Sequence, residues 1–351
     1  MSAWRCAVAF AVVVAAAGAF AGCGADAPAG ATARAVGDER QANSPASAAT
    51  ASAAQQGRAV PKWRRLRSST IPRTEVAAAR IGDAVYVVGG FAAPDGRTSA
   101  IAERYDLRRN RWTRVAPLPI AVNHAAAVAY RGKLYVLGGY AATNALSEET
   151  DALQRYDPRT DRWAQMKAAP SKRGALAAGV VNDRLYAAGG AAGGAALDRL
   201  EVYDFARNSW STGPAMRVAR EHLAATVHGG ALYVLAGRAA GRGNFAVAER
   251  YVPSRRRWER VPAMRKPRGG IAAATVSGRI VVVGGEEDAG TIAEVESYDP
   301  RRRRWRSEPP LPTPRHGLGA VAYRSSIFVL EGGPVPGLTY SDRVEALRIR
   351  G

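Results

Sequence analysis

The chain has 351 residues, with 50 Lys and Arg against 30 Asp and Glu and a formal net charge of +20. Its only cysteines are Cys6 and Cys23, both near the start. A disulfide-stapled scaffold, a cysteine-ligated zinc domain and an acidic solvating chain are therefore excluded.

Residues 1–22 read as an export signal, with Arg5 followed by an apolar run over residues 6–20 and then small residues. The run is short for a membrane span. Phe20-Ala21-Gly22-Cys23 resembles the lipobox of bacterial lipoproteins, with Phe20 in place of the usual Leu, Val or Ile. That resemblance implies acylation of Cys23, which would become the mature N-terminus and attach the chain to a lipid membrane. Gly24, where an Asp would retain a lipoprotein at the inner membrane, implies the outer membrane, facing the periplasm. Residues 23–60 are the lipidated cysteine and a tether rich in Ala, Gly, Ser, Thr and Gln, without apolar periodicity. As a coil it spans roughly 30 to 40 Å.

Beyond residue 60 the chain repeats with a period of about 48 residues. Trp63, Trp112, Trp163, Trp210, Trp258 and Trp305 are each followed after 27 residues by a glycine: Gly90, Gly139, Gly190, Gly237, Gly285 and Gly332. Tyr105, Tyr156, Tyr203, Tyr251 and Tyr298 each precede the next tryptophan by 7. Length varies only between glycine and tyrosine, as expected of two rigid hairpins joined by an elastic surface loop.

In one unit, the apolar runs 125–130 and 133–139 flank Arg131-Gly132, and residues 152–156 and 162–167 flank the turn DPRTD. These are two hairpins, hence four short antiparallel strands, the composition of a propeller blade. The double glycine, the Tyr-Asp pair and the tryptophan resemble the Kelch repeat. The first glycine of the pair is kept at Gly89, Gly138, Gly189 and Gly284 and replaced by Ala236 and Glu331. The expected fold is all-β: residues 61–351 as a six-bladed Kelch-type β-propeller, closed by the N-terminal strand around Trp63, which supplies the tryptophan strand missing from the last unit.

Ten residues after each tryptophan stand Arg73, Val122, Arg173, Arg220, Arg268 and Arg315. Five arginines are expected to ring the channel mouth, and they resemble the ligand-facing arginines of Kelch adaptors that bind acidic peptides. Arg315 is expected to pair with Glu331. The variable loops around the ring carry Glu148, Glu149, Asp151, Glu286, Glu287 and Asp288. Of the four histidines, His124, His222 and His316 follow the ring position by one or two residues, whereas His228 lies in a turn on the far face. Glu221 with His222 is the acid-base pair to test, although neighbours on a strand normally point to opposite faces. The far face gathers basic turns, densest at Arg301, Arg302, Arg303 and Arg304, suited to anionic lipid or polysaccharide.

No phosphate-cradling loop with Lys, cysteine ligand set or nucleophile elbow is present, and no cofactor or metal is expected. The copper-radical sugar oxidases of the Kelch group need a cysteine that this propeller lacks. Export argues against nucleic acid as a partner. The reading is a cell-envelope binding or scaffold module that presents its loop face to an anionic carbohydrate, peptide or protein. The alternative is an enzyme resembling exported Kelch sialic acid mutarotases, with the arginines holding the sugar carboxylate.

Overall fold

The computed structural model describes residues 61–351; the signal, Cys23 and the tether lie outside the described residues. In the first blade Ala77–Ile81, Ala84–Val88, Ala102–Asp106 and Arg111–Val115 pair in that order, all antiparallel. The second blade repeats this with Ala126–Tyr130, Lys133–Leu137, Leu153–Asp157 and Arg162–Gln165. The next three blades have the same order. The sixth consists of Gly319–Tyr323, Ser326–Leu330 and Val344–Arg348, with Arg64–Arg65 as its outer strand, where Arg64 lies opposite Ala346 and Arg65 opposite Glu345. The innermost strands touch in a closed circle, first to second and onward until the sixth meets the first. This is the six-bladed β-propeller that the repeat implies.

Burial sorts the strands. The second strand of a blade is the most deeply buried, throughout in Ala84–Val88 and Ala231–Leu235 and beyond its first residue in Lys133–Leu137, Arg184–Ala188 and Ser326–Leu330, because blades pack on both of its faces. Each repeat tyrosine lies directly opposite its tryptophan, as Tyr105 opposite Trp112, with ring centroids 4.8 Å apart in that pair. Each tryptophan then reaches one blade back. The indole Nε1–H groups of Trp112, Trp163, Trp210, Trp258 and Trp305 donate to the carbonyls of Arg67, Ala116, Lys167, Pro214 and Pro262 at 2.7–2.9 Å. Trp63 does the same with Pro309, at 3.0 Å. The aspartate after the tyrosine caps the outer turn: Asp106 accepts from the backbone N–H groups of Arg108 and Arg109.

The fixed spacing of 27 has a steric cause. A Cβ on Gly90 would lie 2.4 Å from the Thr74 carbonyl oxygen, and one on Gly139 would lie 2.6 Å from that of Asn123. The glycine thus marks where the second strand's end passes over the backbone that enters the first strand. Above this crossing the elastic loops are partly ordered as short hairpins, including Ala191–Ala192 with Ala195–Ala196 and Arg238–Ala239 with Gly243–Asn244.

Candidate functional site

The five arginines expected to ring the mouth do something else. Arg73, Arg173, Arg220, Arg268 and Arg315 are 0–1% exposed, and each is paired with a glutamate of the chain itself. Arg73 bonds Glu103 and Glu331, both at 2.9 Å. Arg173 pairs with Glu201, Arg220 with Glu249, Arg268 with Glu296 and Arg315 with Glu345, at 2.6–3.0 Å. The ring is therefore a set of internal braces, each clamping the connection that enters a blade onto that blade's third strand. The anticipated Arg315–Glu331 ion pair is corrected as well: Arg315 Nε donates to the Glu331 backbone carbonyl, while the Glu331 carboxylate goes to Arg73. Burial raises the Glu331 carboxyl to about 7, and Arg73 opposes the rise.

Two residues beyond each brace position stand Glu75, His124, Ala175, His222, Gly270 and Gly317, and all six have φ between 50° and 67°. They close a ring of backbone hydrogen bonds around the axis. His124 N–H donates to Glu75, Ala175 to His124, His222 to Ala175, Gly270 to His222, Gly317 to Gly270 and Val76 to Gly317, at 2.9–3.2 Å. A left-handed conformation costs a residue with a Cβ about 1–2 kcal/mol. Three of these strained positions carry Glu75, His124 and His222, and the strain turns their side chains toward the axis.

There they meet Arg238, Glu286, Glu221 and His316. His124 Nε2 is 3.1 Å from Glu75 Oε2, and His316 Nε2 is 3.6 Å from Glu75 Oε1 and 3.7 Å from Glu286 Oε2. Arg238 donates to Glu221 at 3.1 Å, to Glu286 at 2.8 Å and to His222 Nε2 at 3.0 Å. The His124 and His222 rings are 4.7 Å apart, edge to face. These groups floor a cavity of about 170 Å³ whose rim includes Asn144, Leu146 and Leu338. Leu146 and Leu338 are 51% and 52% exposed, two of the three exposed large hydrophobics among the described residues. A wider groove of about 590 Å³ shares Arg238, Glu286 and Gly337 with it and continues past Glu287 and Asp288.

Burial dominates the electrostatics. It pushes the Glu75 carboxyl up to about 8, with Glu286 adding to the rise and Arg238 opposing it. It pushes His124 down to about 3, helped by the charge of Arg238, and drives His222 well below its ordinary value. His316 is lowered for the same first reason. At neutral pH the imidazoles are uncharged.

Glu221 and His222 do come together, against the expectation that strand neighbours diverge. The positive φ of His222 breaks the alternation, and its Nδ1 bonds Glu221 Oε2. Glu75 and Arg238 carried no sequence motif. A signal existed nevertheless: aligned on the tryptophans, the column 12 residues on has glycine in two units and titratable residues in three. Arg301, Arg302 and Arg303 are exposed on the turn between the third and fourth strands of the fifth blade, Arg304 is exposed at the start of the fourth strand, and Arg302 is held by Asp299 at 3.0 Å.

Comparison with known proteins agrees with this architecture. A family model described as the KLHDC2/KLHL20/DRC7 Kelch-repeats domain matches residues 75–264, and the Kelch motif model matches residues 267–312. The Kelch-like protein terF of Aspergillus terreus is 32% identical over 192 residues, covering 50% of this chain and 42% of that protein. Human Kelch-like protein 4 is 34% identical over 79 residues, which is 22% of this chain and 11% of that protein. The chain thus spans less than half the length of these curated relatives. A solved structure described as that of YjhT superposes with a TM-score of 0.68 at 16% identity, over 80% of this chain and 96% of that one. With the repeat, the blade order and the family model in agreement, the chain belongs to the Kelch-repeat family of β-propellers.

Proposed function

We propose that this propeller is an interaction module whose ligand enters the axial mouth on the loop face, as a carbohydrate or an extended peptide. One observation carries the reading: a polar, partly strained floor lies under a cavity whose rim exposes Leu146 and Leu338. Apolar rims over a few convergent polar groups are the usual build of binding pockets. The brace arginines are occupied by glutamates, which leaves Arg238, 31% exposed, as the guanidinium that faces the cavity. The ligand chemistry that fits is hydroxyl- or amide-rich, with an anionic group directed at Arg238, rather than polyanionic.

The cell-envelope setting is part of the same proposal. Acylated Cys23 would anchor the protein in the outer membrane facing the periplasm, and residues 23–60 would let the disc approach its ligand. The basic turns at Arg301, Arg302, Arg303 and Arg304 would meet anionic lipid or polysaccharide. A second reading, mutarotation of an acidic sugar, has the Glu75–His124 contact in its favour, since a carboxyl and an imidazole in hydrogen-bond reach can relay a proton.

Calorimetric titration of the purified protein with a panel of acidic and neutral glycans and peptides tests the reading, with Arg238→Met as the control. Binding weakened at least tenfold in the variant supports it, and turnover of a bound sugar promotes the second reading. Silence across the panel, or binding indifferent to the variant, contradicts the axial site.

A further inference from the structure

We propose that the axial floor is a binding site for one divalent first-row transition cation, held by Glu75, His124 and His222 with His316 and Glu286 beside it. Metal binding here is independent of which ligand covers the mouth.

Ligand geometry comes first. Glu75, His124 and His222 each offer one donor atom, and these atoms lie within 4.8 Å of one another. The three residues come from three blades, at equivalent positions of the hydrogen-bonded axial ring, so their backbone is fixed by the fold.

The ring nitrogens are also oriented as in metal sites, where a ligating histidine gives its other N–H to an acceptor behind it. His124 Nδ1 lies 2.6 Å from Asn123 Oδ1. The amide orientation follows from Nδ2, which donates to the Tyr140 carbonyl and to Thr98 Oγ1. His222 Nδ1 faces Glu221 Oε2, and His316 Nδ1 faces the Gly333 carbonyl at 3.1 Å. All three acceptors require N–H at Nδ1. Each Nε2 therefore presents a lone pair toward the axis, where the partners of His124 and His316 are the carboxylates Glu75 and Glu286. A lone pair that faces a carboxyl oxygen across 3.1–3.7 Å takes either a carboxyl proton or a metal ion, and a bound cation would displace that proton.

The network gathers three carboxyl groups, Glu75, Glu221 and Glu286, around one guanidinium, Arg238. Glu286 Oε2 is buried without a hydrogen-bond partner, and its side chain is 10% exposed. Arg238 now donates to His222 Nε2 and has to leave it when a cation binds; its remaining bonds to Glu221 and Glu286 give it another anchorage. Imidazole with carboxylate selects Zn²⁺, Ni²⁺, Co²⁺ or Fe²⁺ over Mg²⁺ and Ca²⁺.

The chain has four histidines, and His228, on the opposite face, is a built-in control. The full chain, purified without a histidine tag, is stripped of metal and titrated calorimetrically with Zn²⁺ and Mg²⁺. Binding of Co²⁺ is followed by its visible spectrum. The expected result is one Zn²⁺ per chain, no Mg²⁺ binding and a Co²⁺ spectrum of mixed nitrogen and oxygen ligation. His124→Asn, chosen because Asn tolerates φ > 0, and Glu75→Gln each weaken Zn²⁺ binding at least tenfold, whereas His228→Ala leaves it unchanged. Metal-free melting temperatures report whether the variants fold, and the Co²⁺ spectrum of the unaltered protein stands without them. Absence of Zn²⁺ binding, affinity unchanged in both axial variants, or a loss in His228→Ala overturns the proposal.

Discussion

Val122 and Gln154 have changed together: the second blade has valine where five blades have the brace arginine, and glutamine where they have its glutamate. Gln154 replaces the ion pair with two bonds to the backbone of Ile120, accepting at 2.9 Å and donating at 3.2 Å. A neutral brace thus serves the same joint. Buried ion pairs gain little over neutral partners, but half of one is costly. Arg173→Val alone should cost about 3–5 kcal/mol, since it strands Glu201 in the interior. Arg173→Val with Glu201→Gln, which copies the second blade, should recover about 1–3 kcal/mol of that. Urea unfolding of the two single variants and the double variant measures the coupling, and strict additivity would disprove the brace.

Arg73 contacts two carboxylates, Glu103 and Glu331, and the second makes the joint sensitive to pH. Because burial raises Glu331 from 4.5 to about 7, folding favours its protonated form. Its contribution to stability is therefore complete below the unfolded value and is lost as pH rises through about 7. Glu331→Gln should melt higher than the unaltered protein at alkaline pH, and the gap should narrow on acidification. A gap that grows toward acid would reverse the assignment.

Trp63 and the Arg64–Arg65 strand link the start of the described chain to its end, through Pro309 and Val344–Arg348. Removing residues 60–68 should lower the melting temperature by many degrees and expose the edge of the sixth blade. Removing most of the tether, residues 24–57, should change it little. Equal melting points for the two truncations would contradict closure through this strand.

Gly139 sits at φ 103° under the Asn123 carbonyl. Gly139→Ala should destabilise by about 1–3 kcal/mol from backbone strain alone, with the displaced carbonyl adding to it. Gly132, in an open turn with nothing within 4 Å of a Cβ, is the control. Equal losses at the two sites would remove the steric account of the repeat spacing.

The architecture was legible because its causes are local and repeated. The tryptophan reaches back to the preceding blade, the glycine passes under a carbonyl and the aspartate caps a turn, so each leaves a residue at a fixed spacing. The site was less legible. Arginine at a loop entrance reads equally as ligand contact or brace, and only the third-strand glutamates, distant in sequence, decide between them. The alternation rule failed at His222 because the left-handed ring that reorients its side chain is formed between blades. Arg238 and Glu286 directly follow the repeat glycines Gly237 and Gly285, but the same position holds Phe91, Tyr140, Ala191 and Gly333 in the other units, so no shared chemistry marks the column.

The account's central claim is that the axial cavity receives the ligand, and the four histidine side chains report on it directly. Long-range ¹H–¹⁵N imidazole spectra should show His124, His222 and His316 as neutral rings protonated at Nδ1. When a ligand from the glycan and peptide panel is added, their resonances should shift together while that of His228 stays fixed. Movement at His228 alone, or binding by calorimetry with all three axial rings unmoved, would place the site elsewhere on the disc.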